Sequence, residues 1–296
     1  MLNNKQPHYF LGIDGGGSKC KAVVVSKDNI ILGTGISGPG NPLHGFEQAT
    51  NSITASALLA LEDAHLADIP LNNIIAGVGL AGVNLPVLFD KMSSWQHPFK
   101  QFFLATDLFI ACLGAHQGGE GAVMITGTGS CGFSYVDGHP FIIGAHGFPH
   151  GDKGSGAWFG LQAAKQVLLS IDGIVAPSIM THFLLKKLNC KNDTALVEVI
   201  AGKPATFFAQ LAHLVFDAAE QGDKVAKSII EEGANYINHI TQTLSNKNPP
   251  RMSMIGGLAP RLKPWLSDKT RSILSEPLNP PEMGAVLFAK TQLALQ

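Results

Sequence analysis

Short apolar runs alternate with stretches of helical periodicity along the first half of this 296-residue chain. The apolar runs predict five strands, at 8–14, 20–26, 29–34, 74–80 and 101–106. Apolar positions at helical spacing predict three helices, at about 45–65, 84–94 and 107–116. The predicted order of elements is therefore βββαβαβα.

The order begins again at residue 121, so the second half repeats the architecture of the first. Strands are predicted near 121–126, 131–136 and 139–143, with a hairpin turn at Asp137-Gly138. A helical region over about 157–245 is broken near Asp172-Gly173, Pro177, Gly202-Lys203-Pro204 and Gly222. A strand at 252–256 and a helix at about 281–294 follow. The pattern predicts two doubly wound α/β lobes around a central cleft, with ligand at the carboxyl ends of the strands.

Composition excludes several classes of protein. Hydrophobic residues make up 45% of the chain and charged residues 15%, which favours a folded protein with a sizeable core. The net charge is -1 and no basic stripe is present, so nucleic acid is not an expected partner. The first ten residues lack a signal-peptide core and no apolar run reaches ~18 residues, so a cytoplasmic location off the membrane is expected. The cysteines form no CxxC pair, and we expect reduced thiols at Cys20, Cys112, Cys131 and Cys190.

Two glycine-rich turns carry most of the functional information. They are DGGGSK at Asp14–Lys19 and TGTGS at Thr126–Ser130, and each lies between two strand-like runs. A dinucleotide fingerprint needs a helix after its glycines, and a Walker loop needs a GK[ST] ending, so neither motif fits. Each turn is instead a predicted hairpin tip. Glycine lets backbone N–H groups approach phosphate oxygens, so the pair predicts a clamp on a polyphosphate from two sides.

Two aspartates at strand ends are candidate functional groups. Asp14 ends the first strand and can hold Mg²⁺ or its water shell. Taken alone, an ordinary Asp-Gly turn explains it better, and the second glycine tip shifts the balance towards the metal role. Asp107 lies where a strand meets a helix, and it can serve as the helix N-cap. A carboxylate at that strand end can also accept a proton from an attacking sugar hydroxyl.

Three further segments combine turn-forming residues with polar groups. The loop over 144–156 offers Asp152 to sugar hydroxyls, and its His146 and His150 are interpreted as polar loop residues rather than metal ligands. The loop over 38–45 carries Asn41, which is either a turn residue or a partner of vicinal hydroxyls. The double glycine Gly256-Gly257 is either a plain turn or a flat surface for an adenine ring.

These residues together resemble the BadF/BadG-type branch of the actin/hexokinase/Hsp70 superfamily, and within it the N-acetylglucosamine kinases and bacterial glucosamine kinases. The matching segments span nearly the whole chain in family order: IDGGGSKCKA (13–22), GLAGVN (79–84), TDLFIACLGAH (106–116), GAVMITGTGSCG (121–132), HGFPHGDKGSGAW (146–158), MIGGLA (254–259) and PPEMGAVLFA (280–289). Family members often have Thr where this chain has Ser18, and the hydroxyl is kept. The family's iron–sulfur ATPases need a cysteine cluster, a spacing that the four cysteines here lack.

The resemblance implies a duplicated actin-like, ribonuclease H-like fold and a set of site residues. Asp107 would be the catalytic base, and Asp14 would hold Mg²⁺ directly or through water. The implied sugar contacts are Asn41, Leu43, Ala81, Asp107, Gly129, Gly147 and Asp152. The implied ATP contacts are Gly15, Gly16, Gly17, Ser18, Lys19, Gly127, Thr128, Gly129, Ser130, Gly256, Gly257 and Ala259. An N-terminal lobe of 1–118 plus 281–296 and a C-terminal lobe of 119–280 are expected, because the family returns its last helix to the first lobe.

We therefore expect an ATP-dependent kinase that phosphorylates the 6-hydroxyl of N-acetyl-D-glucosamine, with D-glucosamine as the alternative acceptor. A non-catalytic sugar or nucleotide sensor, or an ATPase activator of the same fold, is the alternative from another class. A sensor would be expected to add a DNA-binding module, and about seven residues precede the first predicted strand. The loops over 38–45 and 144–156 argue against a filament protein. The oligomeric state is open, with a homodimer as one alternative.

Overall fold

Two compact units make up the chain, and the computed structural model of the protein describes residues 9–296. The first unit contains the residues up to Gly121 together with Glu276–Gln296, and the second is Ala122–Ser275. The lobe boundaries predicted at 118/119 and 280/281 lie a few residues from these positions. Residue 8, where the first strand was predicted to start, and the N-terminal segment before it lie outside the described residues.

The first unit is built on a five-stranded sheet with the order β3-β2-β1-β4-β5. Strand β1 pairs antiparallel with β2 and parallel with β4, which in turn pairs parallel with β5. All five predicted strands are confirmed: β1 is Tyr9–Gly15, β2 is Cys20–Ser26, β3 is Ile31–Ser37, β4 is Ile75–Leu80 and β5 is Gln101–Thr106.

Strand β3 lies two to three residues later than the sequence predicted. Asn29 has a left-handed φ of 64° in the turn before it, so the strand starts after that turn. Gly33 and Gly35 then face the following helix at close range, and a Cβ at Gly33 would lie 2.5 Å from the Ala60 carbonyl oxygen. Strand β3 therefore continues through Gly33 and Gly35 to Ser37, beyond the end predicted at residue 34.

Three helices connect the strands of the first unit, close to the predicted positions. Helix α1 covers one face of the sheet, and its side chains Ile53, Ala57 and Ala60 are buried. The bounds are Phe46–Asp63 for α1, Pro86–Ser93 for α2 and Asp107–Ala115 for α3.

The second unit contains a four-stranded sheet with the order β8-β7-β6-β9. Its strands are β6 (Gly121–Thr126), β7 (Ser130–Val136), β8 (His139–Gly144) and β9 (Met252–Ile255). The order repeats that of β3-β2-β1-β4. The place of a fifth strand is taken by a single parallel bridge between Ser253 and Ser275. Asp137 and Gly138 have φ values of 52° and 75°, which confirms the predicted hairpin turn.

Eight helices complete the second unit. The predicted breaks in the helical region are confirmed, and a further break at Asn189, a left-handed residue with φ of 54°, was missed. Two short helices after β9 were also missed. The bounds are α4 Gly156–Ile171, α5 Ile179–Leu188, α6 Asp193–Ile200, α7 Ala205–Ala209, α8 Ala212–Glu220, α9 Lys224–Ser245, α10 Ala259–Leu262 and α11 Asp268–Ile273.

Helix α12 (Pro281–Ala294) packs on the sheet of the first unit. A Cβ at Gly12 would lie 2.0 Å from the Glu282 carbonyl oxygen, and one at Gly77 would lie 2.0 Å from that of Ala285. A Cβ at Gly284 would lie 1.9 Å from the Ile110 carbonyl oxygen of α3. Glycine is required at these positions because the backbones approach too closely for any side chain.

Two chemical features of the described chain complete the fold. Between residues 9 and 296, no helix combines the length and the apolar character needed to cross a membrane. The four cysteines are buried and form no disulfide.

Candidate active site

The carboxyl ends of three adjacent parallel strands bring the key acids of the first unit together. Asp14 of β1 pairs with Gly79 of β4, and Gly79 pairs with Ala105 of β5. Asp107 follows two residues after Ala105. One strand separates the two aspartates, which corresponds to ~10 Å between their backbones. The site therefore places two carboxylates at the carboxyl ends of strands in one sheet.

Asp107 is not the N-cap of α3, so that alternative interpretation is wrong. The Thr106 hydroxyl caps the helix and accepts the Phe109 N–H at 3.2 Å. Asp107 is the first helical residue, and its Oδ1 accepts the neighbouring Leu108 N–H at 2.9 Å. The carboxylate is thereby held in place while its side chain keeps partial exposure.

Both carboxylates bind protons more strongly than an ordinary aspartate does. Burial raises the pKa of Asp107 to about 6. Burial, together with repulsion from Asp107 and Glu282, raises the pKa of Asp14 to about 7, and Lys19 and Lys21 only partly offset this rise. An added cation beside Asp14 would relieve this repulsion.

The DGGGSK turn forms the predicted hairpin tip between β1 and β2. The Gly16 N–H donates to the Lys19 carbonyl at 2.9 Å and closes the turn. Gly17, Ser18 and Lys19 are exposed. A Cβ at Gly17 would meet nothing within 4 Å, whereas one at Gly15 would lie 2.4 Å from Leu80 Cδ2. The tip thus has a packed base and an open end with room for a ligand.

The loop over 38–45 packs against this tip and brings the predicted sugar residues of the first unit beside it. The Gly40 N–H donates to the Gly16 carbonyl and the Ala81 N–H to that of Gly15, each at 2.9 Å. Asn41 Oδ1 accepts the Leu43 N–H at 2.9 Å, so Asn41 does have the predicted turn role. The side-chain amide of Asn41 also lies against the loop after β4, since a Cβ at Gly82 would lie 2.3 Å from Asn41 Oδ1. Leu43 is 59% exposed and presents an apolar surface at this loop.

The TGTGS tip of the second unit is held by the start of α4 and by the segment that precedes this helix. Its carbonyl groups receive hydrogen bonds from the start of α4: Gly156 N–H donates to Gly127 at 2.8 Å and Ala157 N–H donates to Thr128 at 3.1 Å. The Ser130 hydroxyl donates to the Lys153 carbonyl at 2.8 Å. A Cβ at Gly127 would meet nothing within 4 Å, so this tip also has an open side.

Asp152 lies against the TGTGS tip. Its carboxylate accepts backbone N–H groups of Ser130 and Gly147, and a Cβ at Gly129 would lie 2.8 Å from its Oδ2. Burial raises the pKa of Asp152, and those hydrogen bonds oppose the rise only in part. The structure therefore brings together the three sugar residues predicted in this unit, Gly129, Gly147 and Asp152.

The Gly256-Gly257 turn adjoins the same tip because β6 and β9 are parallel neighbours. The Leu258 N–H donates to the Thr126 carbonyl at 3.1 Å. Gly256 has a φ of 107°, and a Cβ there would lie 2.3 Å from that same oxygen. Gly257 is exposed with open space beside it, and Ala259 is buried at the start of α10. The ATP residues predicted in this unit thus lie on two adjoining turns, with Ser130 and Ala259 buried beneath them.

Sequence reasoning missed an ion pair at the base of the first tip. Lys21 of β2 lies directly opposite Asp14 and contacts the buried Glu282 of α12 with an Nζ–Oε1 distance of 2.5 Å. The signal available was weak: Glu282 lies in the PPEMG segment, and Lys21 shares a strand pair with Asp14.

The two loop histidines, His146 and His150, are both exposed. Among residues 9–296, no three His, Cys, Asp or Glu side chains are grouped to hold a metal ion by themselves.

Known proteins resemble this chain in sequence and in fold over nearly its whole length. A profile of the BadF/BadG/BcrA/BcrD ATPase family matches residues 11–289. The glucosamine kinase of Vibrio cholerae is 32% identical over 282 residues, covering 95% of this chain and 96% of that protein. The N-acetylmuramic acid/N-acetylglucosamine kinase of Clostridium acetobutylicum is 27% identical, covering 96% and 99%. The crystal structure of a proposed N-acetylglucosamine kinase from Chromobacterium violaceum superposes with a TM-score of 0.89 at 28% identity, covering 95% and 99%.

Proposed function

Because this chain belongs to the BadF/BadG/BcrA/BcrD ATPase family, we propose that it is an ATP-dependent kinase of amino sugars. One observation carries the proposal: two carboxylates, Asp14 and Asp107, lie at the carboxyl ends of β1 and β5, one strand apart, beside an open glycine tip. Phosphoryl transfer needs a positioned proton acceptor and an acid that serves the metal, and it needs little other covalent chemistry from the protein.

Asp107 is the proposed proton acceptor. A carboxylate with a pKa of about 6 is ionised at neutral pH, yet it is more basic than an ordinary aspartate. It therefore accepts the proton of the sugar 6-hydroxyl as that oxygen attacks phosphorus. The hydrogen bond from the Leu108 N–H keeps Oδ1 occupied, which leaves Oδ2 for the hydroxyl.

Asp14 and the first tip fit a nucleotide-borne Mg²⁺. The carboxylate experiences repulsion from Asp107 and Glu282, and carboxylate oxygens are ligands that Mg²⁺ prefers. When bound, the ion neutralises charge on the phosphate oxygens. The backbone of Gly17 with the side chains of Ser18 and Lys19 supplies donors to phosphate at the open end of the tip, and Gly15 and Gly16 form its base.

The second unit contributes binding groups in this proposal. Thr128 and Gly129 offer donors to phosphate. Gly127 and Ser130 shape the tip, because the Gly127 N–H donates to the Gly129 carbonyl and both donors of Ser130 are donated to Asp152 and Lys153. Gly256 and Gly257 form the surface for adenosine, and buried Ala259 lies beneath it. Asp152 accepts hydrogen bonds from sugar hydroxyls. Its fixed position under the backbone of Ser130 and Gly147 suits that role.

The proposed acceptor is N-acetyl-D-glucosamine. Exposed Leu43 next to Asn41 suits a neutral amide and its methyl group, and the loop over 38–45 contains no acid to pair with an ammonium group. The second candidate is D-glucosamine, which the 32% identity to the Vibrio cholerae enzyme favours. One methyl contact is worth only ~1–3 kcal/mol, so we expect a preference between the two sugars rather than exclusion of one.

An ADP-release assay over a panel of amino sugars and hexoses tests the proposal. The expected result is a higher kcat/KM for N-acetylglucosamine than for glucosamine, and loss of that preference in Leu43→Asp. Efficient turnover of glucosamine alone would establish the second candidate. Binding of sugar and nucleotide without any ADP release would support the non-catalytic sensor instead.

A further inference from the structure

Arg261 forms a forked clamp within the second unit. Its Nη1 donates to Asp217 Oδ1 at 2.7 Å and its Nη2 to Glu220 Oε1 at 2.5 Å. Its guanidinium carbon lies 5.1 Å from the centre of the Phe216 ring. All three partners belong to α8, so a single side chain fastens α10 to the helical region of this unit.

The clamped helix is too short to hold itself in place. Helix α10 has four residues, and a helix of that length has almost no stability of its own. Ala259 and Leu262 bury one side of it. Arg261 lies between them in sequence and makes the polar contacts to α8.

The helix begins directly after the Gly256-Gly257 turn, so its position sets the position of the turn. The backbone connects them: the Ala259 N–H donates to the Gly256 carbonyl and the Leu262 N–H donates to that of Leu258. Leu258 in turn donates to Thr126, the residue at which the TGTGS tip begins. A displaced α10 would therefore move the turn relative to the tip.

We infer that Arg261 is a positioning residue for the nucleotide: through Asp217, Glu220 and Phe216 it fixes the Gly256-Gly257 turn against the TGTGS tip. The inference rests on the nucleotide site proposed above. It also gives the helical region of the second unit a part in the reaction, because α8 supplies every partner of the clamp.

A role in positioning differs from a role in stability. Ion pairs with this much exposure contribute little to folding stability. The planar guanidinium instead fixes orientation, because its two Nη groups donate to two carboxylates three residues apart on α8. Loss of the clamp should therefore weaken nucleotide binding more than it lowers the melting temperature.

The test compares Arg261→Gln and Arg261→Lys with Arg271→Gln. Arg271 is the matched control, because it pairs with Asp268 on its own helix α11 and donates to the Pro264 carbonyl, and neither contact reaches α8. Binding of a non-hydrolysable ATP analogue is measured by calorimetry, the KM values for ATP and sugar by initial rates, and Tm by calorimetric scanning. We expect Arg261→Gln to raise the Kd of the analogue and the KM for ATP about tenfold. The KM for the sugar should stay unchanged, Arg261→Lys should fall between, and the control should match the native protein.

Each contrary outcome has a separate meaning. If the native protein fails to bind the analogue, both the proposed nucleotide site and this inference are wrong. If Arg261→Gln binds the analogue like the native protein, only the inference is wrong. An equal rise in both KM values, or an equal effect in Arg271→Gln, would show general destabilisation and also overturn it. Should Arg261→Gln fail to fold, Asp217→Asn and Glu220→Gln each remove one arm of the fork and must each show a partial loss of nucleotide affinity.

Discussion

The two glycine tips occupy equivalent places in two related sheets, but their surroundings differ. The first tip is closed by its own Gly16–Lys19 hydrogen bond and accepts further bonds from the segments after β3 and β4, at Gly40 and Ala81. The second is closed by a Gly127–Gly129 hydrogen bond and accepts further bonds from the start of α4. In the first sheet Asp14 lies near the end of β1 and Asp107 follows β5. In the second sheet β6, the counterpart of β1, ends in Thr126, and the place of β5 is taken by the single bridge at Ser275.

The difference indicates how a repeated fold divides its work. Backbone donors alone can bind phosphate, and both tips keep them. Carboxylates that can serve a metal or accept a proton are found at the strand ends of only one unit. In the proposed function the reacting groups are thus concentrated in the first unit, and the second unit contributes binding groups. The predictions below test this division, in order of decreasing effect.

Asp107→Asn should abolish most of the activity. Removing a positioned proton acceptor should lower kcat by roughly 10²–10⁴-fold and change ATP affinity little, because Thr106 still caps α3. Steady-state kinetics and calorimetric titration measure the two effects. Asp90→Asn, at an exposed position of α2, is the control and should behave like the native protein. Near-native turnover of Asp107→Asn would show that Asp107 is not the proton acceptor.

Gly17→Val and Gly127→Val should each weaken nucleotide binding by at least about tenfold. Both positions have open space and no left-handed φ, so the fold tolerates a side chain there while a phosphate would not. Calorimetry with a non-hydrolysable ATP analogue reports the affinity, and an unchanged Tm confirms folding. If only one of the two variants loses affinity, phosphate binding belongs to that tip alone.

The kcat/KM for the sugar should fall at acid pH. Asp107 accepts a proton only when ionised, and its pKa is about 6. At saturating Mg²⁺ and ATP, kcat/KM for the sugar should therefore drop about tenfold for each pH unit below 6 and stay level above it. A profile that is flat down to pH 5 would contradict the assignment.

Asp14→Asn should stabilise the protein free of metal and nucleotide at alkaline pH. The native pKa of Asp14, about 7, lies above its unfolded value of 3.8, so the native state holds the proton more strongly and loses stability as pH rises from 4 to 7. Asparagine removes that loss. Scanning calorimetry at pH 8 should show a Tm a few degrees above native, since ~1 kcal/mol corresponds to ~2–4 °C. The gap should close near pH 4, and a lower Tm at pH 8 would contradict the prediction.

Segments with a continuous apolar run were predictable from the sequence, and short tertiary-dependent ones were not. Strand β5 and helix α12 have the predicted bounds, and each contains such a run, FFLA in β5 and AVLFA in α12. Helix α10 has no such pattern, since its stability comes from packing. The two glycine tips were visible as motifs. Their fixation by α4 and the Lys21–Glu282 pair were not, because each joins segments far apart in the sequence. The roles of the site residues remain predictions.

The return of α12 to the first unit determines the order in which a ribosome can complete the protein. Gly12 and Gly77 lie in the first third of the chain, but the backbone they contact, at Glu282 and Ala285, is synthesised after the whole of Ala122–Ser275. Until α12 has been synthesised, one face of the first unit's sheet therefore lacks the helix that covers it. The second unit has all of its own residues once Ser275 has been synthesised, before α12 begins. The unit that is coded first is thus the last to have all of its residues, which departs from the usual N-terminal-first order of completion.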